Sequence, residues 1–260
     1  MSDSSIKNLV QSQFGASAQS YVTSALHAGG DDLARLVELA GLRGDERVLD
    51  IATGGGHTAL AFARHAREVV ASDLTPDMLR AAEGFIRAQG AANVSFELAD
   101  AEELPFDDTS FDLVTTRIAP HHFPNPAAYV REVARVLRPG GRFLLDDNMG
   151  PEDLELSAFM DRFERWRDPS HVRNYTVSEW SGWMREAGLR IEHADPLRAK
   201  RYDFADWTAR MRMPADERAA LEAWLLTAPA KCKEFFRIVV DDGAVKSLSG
   251  TYGIIVARKG

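Results

Sequence analysis

Three acidic residues close three successive β-branched runs in the N-terminal half of the chain. Asp50 ends Arg47–Ile51 and precedes Thr53-Gly54-Gly55-Gly56; Asp73 follows Glu68–Ser72; Asp100 follows Val94–Leu98 and leads into Ala101 and Glu102. A fourth run, Phe111–Thr115, delivers Arg117, Ile118 and the pair His121-His122. One such acid is an ordinary helix cap. Three at one sheet edge, beside a glycine turn that a ligand can approach closely, make a site for a molecule rich in hydrogen-bond donors. An acid after the second strand can accept from both hydroxyls of a ribose. An acid after the third can accept from an adenine amino group.

The residues Gly54-Gly55-Gly56-His57-Thr58-Ala59 also satisfy G-x-G-x-x-G/A, so a nicotinamide-dependent oxidoreductase has to be weighed. Asp50 argues against it, because a carboxylate just before the turn repels a pyrophosphate. S-adenosylmethionine carries an ammonium, a sulfonium and an adenosine but no phosphate, and it suits that acid. A non-catalytic protein binding the same cofactor would show the same residues.

These groups need a scaffold, and the chain alternates short β-branched runs with helical patterns, the signature of a doubly wound parallel sheet. Thr75 and Pro76 open a helix that Gly90 stops; Asn125 and Pro126 open another, with Val130, Val133, Ala134 and Leu137 as its stripe, broken at Pro139-Gly140-Gly141. A fifth strand follows at Arg142–Leu145, reaching toward Asp147. Next come a helix over Glu152–Trp166, a capping box at Thr176–Glu179 opening a helix stopped at Gly188, a strand at Leu189–His193, helices near Phe204–Met211 and Ala215–Leu226, and a hairpin through Asp241-Asp242-Gly243 into a last strand. Before the core, Ile6–Leu42 reads as mostly helical.

The chain has 260 residues, 45% hydrophobic and 27% charged, enough for a sizeable core. A net charge of −8 leaves no general basic footprint for nucleic acid. A single cysteine, Cys232, has no metal-ligand companion and fits a reducing compartment. The N-terminal residues carry no apolar signal region, and no run approaches the roughly 20 apolar residues of a membrane span. The expectation is a cytoplasmic protein without a metal; its oligomeric state is not readable.

Together, Val48-Leu49-Asp50-Ile51-Ala52-Thr53-Gly54-Gly55-Gly56, Asp73-Leu74-Thr75-Pro76-Asp77-Met78-Leu79, Asp100-Ala101-Glu102-Glu103-Leu104-Pro105-Phe106 and Val136-Leu137-Arg138-Pro139-Gly140-Gly141 resemble the class I S-adenosylmethionine-dependent methyltransferases, in the branch of the ubiquinone/menaquinone-biosynthesis enzymes. The likeness spans about residues 45–147. It implies a Rossmann-like α/β sheet of seven strands with the last antiparallel, a helical N-terminal lid and helical cap segments. The implied division is a lid over 1–44, a cofactor-binding core over 45–147, and cap helices with C-terminal strands over 148–260. It implies methyl transfer from S-adenosylmethionine to a small-molecule acceptor, quinone-like or another metabolite, leaving S-adenosylhomocysteine.

The resemblance also implies roles. Asp50 reaches the methionine ammonium, directly or through water; Ala52, Thr53, Gly54 and Gly55 line the methionine; Asp73 holds the ribose, with Leu74 and Met78 against the adenine. Asp100 meets the adenine amino group and Ala101 a ring nitrogen, with Glu102 beside them; Arg117 and Ile118 flank the cofactor. Phe14, Gly15, Ser20 and Tyr21 form the lid, with Tyr21 near the carboxylate end. Ala52 stands where the family usually has glycine, and a methyl there costs little space.

If the acceptor must lose a proton, His122 and His121 are the candidate bases, while His57 caps or packs on the cofactor loop. Adjacent histidines point their rings apart in most backbones, which disfavours a metal pair. Phe159, Phe163 and Trp166 read as a docking stripe more than as a pocket wall. Arg162, Arg165, Arg167, His171 and Arg173 alternate with Asp161, Glu164 and Asp168 and read as a solvated mixed face.

Overall fold

Five parallel strands form the first half of the sheet: β1 (Arg47–Ile51), β2 (Glu68–Asp73), β3 (Val94–Leu98), β4 (Phe111–Arg117) and β5 (Leu137–Asn148). The molecule is a computed structural model describing residues 2–22 and 30–260, so part of the expected helical segment Ile6–Leu42, residues 23–29, lies outside it, as does the side chain of Ser20. The strand order is β3-β2-β1-β4-β5-β9-β6, where β6 is Leu189–Ala194 and β9 is Ala244–Lys259. β9 runs antiparallel to both neighbours, as expected of the seventh strand on this path. β1 and β4 are nearly continuous buried runs because helices cover both faces.

Two further strands join the sheet, the first not expected and the second the opening arm of the expected hairpin. β7 (Arg198–Asp203) and β8 (Val239–Asp241) pair with the N-terminal part of β9. β7 reads Arg-Ala-Lys-Arg-Tyr-Asp, with only Tyr202 buried, so it shows no apolar alternation. β5 also starts earlier than Arg142, directly from the preceding helix, with a register shift against β4 between Phe111 and Leu113.

The described helices are α1 (Asp3–Gly15), α2 (Ala18–Val22), α3 (Asp31–Ala40), α4 (His57–Ala63), α5 (Pro76–Ala88), α6 (Pro126–Val136), α7 (Leu154–Arg167), α8 (Val177–Glu186), α9 (Phe204–Arg210), α10 (Ala215–Leu226) and α11 (Ala230–Phe235), with a short 3₁₀ turn at Pro120–His122. Their ends follow local chemistry. Gly41 closes α3 at φ 54°, the Asn125 side chain accepts from Ala128 N, and Thr176 with Glu179 forms the complete capping box. α11 was not anticipated.

Two apolar clusters pack the faces of the sheet, one around Leu49, Val114, Tyr129 and Trp180, the other around Val48, Phe62, Val69 and Ile86. A third sits apart and joins α7, β7, α9, α10, α11 and the start of β9 through Phe159, Phe163, Trp207, Leu221 and Phe236. This is the cap. Phe159 and Phe163 belong to its core, consistent with the docking stripe, and Trp166 donates its indole N–H to Glu217 at 2.6 Å. Among the described residues, no helix is long and apolar enough to cross a membrane.

Candidate active site

The carboxyl ends of β1 and β2 meet at the glycine turn. Asp73 Oδ2 accepts from Gly54 N (2.9 Å) and Oδ1 from Thr75 N (2.8 Å), so one carboxylate fixes the turn and starts α5. Each of its oxygens keeps a further lone pair for a ligand hydroxyl. Burial pushes the Asp73 carboxyl upward against these hydrogen bonds. Asp50 lies deeper. It is buried, accepts from the Thr53 hydroxyl at 2.6 Å, and burial raises its pKa to about 7. It stands behind Thr53 rather than in the cavity wall.

Ala52, at the usual glycine position, adopts φ 55°. The departure from glycine is therefore one of backbone conformation, not of space, and a left-handed alanine is strained. Ile118, at the end of β4, sits at φ 53°, a rare state for a β-branched residue.

The lid lies against this turn. A Cβ on Gly55 would meet the Tyr21 carbonyl carbon and oxygen at 2.9 Å, so only glycine admits the backbone of α2 here. His57 opens α4, and its Nε2 lies 3.1 Å from the Tyr21 carbonyl, which caps the lid contact. Gln11 of α1 donates to the Leu74 carbonyl (2.9 Å). Lys7 of α1 bridges Asp100 (2.7 Å) and Glu102 (2.6 Å), while Glu102 N donates to Asp100 Oδ1 (2.9 Å).

At the end of β4, Arg117 donates from Nε and Nη2 to Asp32 of α3 (2.9 and 2.7 Å) and lies 3.6 Å from Asp146 of β5. Burial and the nearby Asp32 charge push Asp146 up to about 8.

The 3₁₀ turn that follows holds the histidines, and their rings lie together, with centroids 4.2 Å apart. This corrects the expected divergence: the tight turn at Pro120–His122 and the stacking of His171 on His121, at 5.1 Å, gather all three rings. His121 Nδ1 donates to Asp147 Oδ1 of β5 at 2.6 Å. Burial alone would depress its pKa; Asp147, then Glu164 and Asp168, outweigh that and raise it. His122 donates from Nδ1 to the Ser170 carbonyl (3.0 Å) and packs edge-on against Phe14 of the lid. Burial and the neighbouring His121 lower its pKa to about 4.

These groups surround one cavity of about 830 Å³ between core, lid and cap. Of the residues singled out in the sequence, Tyr21, Ala52, Thr53, Gly54, Gly55, Asp73, Met78, Arg117, Ile118, His121 and His122 line it; Asp50, Leu74, Asp100, Ala101 and Glu102 do not. Arg167 turns into the cavity, whereas Arg162, Arg165 and Arg173 stay outside it. Sequence reasoning missed Lys200 and Arg210, saw Asp147 only as the residue to which the fifth strand was extended, and placed Asp168 on a solvated face although it is buried in the structure.

An adenosyl cofactor fits this frame, with the buried Asp73 carboxylate beside Gly54 and Gly55 on the wall of a cavity of ligand size. The model for a methyltransferase domain matches residues 49–145. The chain is 38% identical over 232 residues to the uncharacterized methyltransferase YcgJ of Bacillus subtilis, covering 89% of this chain and 91% of that one. The chain belongs to the class I S-adenosylmethionine-dependent methyltransferases. The crystal structure of YcgJ superposes with a TM-score of 0.85 at 37% identity, covering 87% of this chain and 97% of that one. The demethylmenaquinone methyltransferase of Clavibacter sepedonicus is 32% identical over 199 residues, 68% of this chain and 80% of its own. This methyltransferase uses S-adenosylmethionine as cofactor, and the oxidoreductase reading falls with the family.

Proposed function

We propose that this methyltransferase, working in the cytoplasm, transfers a methyl group to a small-molecule acceptor bound in the cavity. The observation that carries this reading is the cavity itself, which joins the glycine turn and Asp73 on one side to His121 and the cap on the other. A cavity of that size, shared with a cofactor, suits a metabolite rather than a polymer. S-adenosylmethionine supplies a methyl group already activated on a sulfonium.

The chain's part is to bind, orient and dehydrate. Asp73 takes the ribose hydroxyls. Thr53, Gly54 and Gly55 line the methionine end, with Asp50 orienting Thr53 from behind. Met78 flanks the adenine from the cavity wall, while Asp100 and Glu102, outside that wall, hold Lys7 of the lid beside it. Arg117 and Ile118 form the floor toward the acceptor. The lid, 1–44, and the cap, within 148–260, close the two ends over the 45–147 core.

His121 is the better placed of the two candidate bases. Its Nδ1–H is fixed on Asp147, and its Nε2 makes no hydrogen bond to a described residue, so it is left to accept a proton. His122, depressed to about 4, is a feeble proton acceptor and serves as a wall under Phe14. The test follows S-adenosylhomocysteine formation with a phenol, a primary amine and a β-dicarbonyl, and with bulk protein and RNA. Turnover with small acceptors alone is expected; methylation of macromolecules alone overturns the reading. With a protic acceptor, His121→Asn should cut kcat by about 10²-fold or more while cofactor affinity holds; an unchanged kcat removes His121 as the base.

A further inference from the structure

The cap wall of the cavity carries three cations, two of which make no ion pair with a described residue. Arg167 at the end of α7, Lys200 on β7 and Arg210 at the end of α9 all line it. Arg167 donates from Nη2 to Glu164 (3.1 Å) and lies 4.8 Å from the Trp207 ring, but its buried Nε has no hydrogen-bond partner among the described residues. Lys200 makes no ion pair with a described residue; its ammonium faces the Tyr252 ring at 6.0 Å. Arg210 makes neither a hydrogen bond nor an ion pair with a described residue.

The acids nearby are otherwise engaged. Asp168 accepts from Gln13 (2.7 Å) and the Ser170 hydroxyl (2.6 Å), Asp73 holds the glycine turn, and Asp203 caps α9 through Asp206 N (3.1 Å). Asp206 is exposed and, one turn before Arg210, forms no ion pair with it. Burial and the charge of Arg167 both lower the proton affinity of Arg210, and burial lowers that of Lys200 against the pull of Asp32 and Asp146; Arg167 has Glu164 as its counterion, while Lys200 and Arg210 have no acid of the described residues within ion-pair distance. Lys200 is half-buried and Arg210 exposed, so an anion reaching both meets one cation that burial makes costly and one that solvent leaves accessible. Tyr202 and Trp207 stack at 5.8 Å and stand beside these cations as part of the same wall.

We infer that Arg167, Lys200 and Arg210 form the anchoring subsite of the acceptor, and that the acceptor is an organic anion held by a carboxylate or phosphate with an apolar, ring-sized body beside it. This rests on the reading that the acceptor occupies the cap side of the cavity. Charge-assisted contacts to arginine and lysine supply the affinity, and the aromatic wall shapes the body.

The test is calorimetric titration of the protein saturated with S-adenosylhomocysteine, using benzoate, phenyl phosphate and the uncharged benzamide. At least one anion should bind about 10-fold or more tightly than benzamide. Benzoate ahead assigns a carboxylate handle, and phenyl phosphate ahead a phosphate. Arg210→Gln and Lys200→Met should each erase most of that preference, Arg210→Lys should restore part of it, and S-adenosylhomocysteine affinity should stay unchanged. Benzamide binding as well as both anions, no binding by any of the three, or a preference that survives both substitutions overturns the subsite. Weakened S-adenosylhomocysteine binding in Arg210→Gln also overturns it, by giving the arginine to the cofactor's carboxylate. Failure of the unaltered protein to bind S-adenosylhomocysteine would instead overturn the cofactor reading beneath it.

Discussion

Asp73→Asn separates the proposed ribose role from folding. The carboxylate uses one lone pair on each oxygen to hold Gly54 N at 2.9 Å and Thr75 N at 2.8 Å. An asparagine keeps the shape but has a single acceptor oxygen, so its NH₂ must face either a backbone N–H or the ligand. If it keeps the Thr75 contact that starts α5, it presents a donor where the ribose hydroxyl and Gly54 need an acceptor. A hydrogen bond to a charged group contributes about 1.5–3 kcal/mol, so S-adenosylhomocysteine affinity should fall about 10- to 150-fold. Burial already disfavours the ionised acid, so removing the charge offsets part of the lost contact in the free protein. The unliganded melting temperature should therefore move far less than the affinity. Calorimetry with S-adenosylhomocysteine and a thermal melt without it read the two effects separately. An unchanged Kd would refute the ribose assignment, and a collapsed melt would show that Asp73 is chiefly a structural cap.

Gly55→Ala forces a Cβ to within 2.9 Å of the Tyr21 backbone, so α2 should lift, cofactor affinity should drop and proteolysis near Tyr21 should quicken; identical cleavage and Kd would refute the lid contact. Ala52→Gly relieves a left-handed alanine, a strain of about 1–2 kcal/mol, less about 0.4–1 kcal/mol of added unfolded-state freedom, so urea unfolding should show a gain of up to roughly 1.6 kcal/mol; a loss would contradict it. Asp146, raised from an ordinary 3.8 to about 8, keeps its proton in the native state after the unfolded chain has lost it. The native state then binds more protons across that window, so this group's contribution to stability falls as pH rises through it. Asp146→Asn should therefore gain on the unaltered protein in melts from pH 5 to about pH 8; parallel curves would refute the shift.

The glycine-turn end of the cavity was readable because its positions are set by neighbours in sequence. An acid, a glycine turn and a helix start lie within a few residues of each other at Asp50–His57 and again at Asp73–Pro76. The acceptor half was not, because its pairings span long stretches. Asp147 reaches His121 from another strand, and His122 meets Ser170 across a separate loop. Lys200 went unnoticed because β7 is a mostly exposed charged strand with no apolar period, and Arg210 because it is one more polar residue at the end of the short helix α9. Arg167 looked like one of a solvated series, and only the packing of α7 against Trp207 turned it inward. Asp50, the residue that first argued for an ammonium rather than a phosphate, sits one layer deeper than its spacing suggested.

A side-by-side calorimetric titration of the purified protein with S-adenosylmethionine, S-adenosylhomocysteine and NADH tests the cofactor most directly. Micromolar binding of both adenosyl compounds, with no heat from NADH, is the predicted result. Binding of NADH alone would contradict the account, since the turn at Gly54–Gly56 would then be facing a pyrophosphate despite Asp50.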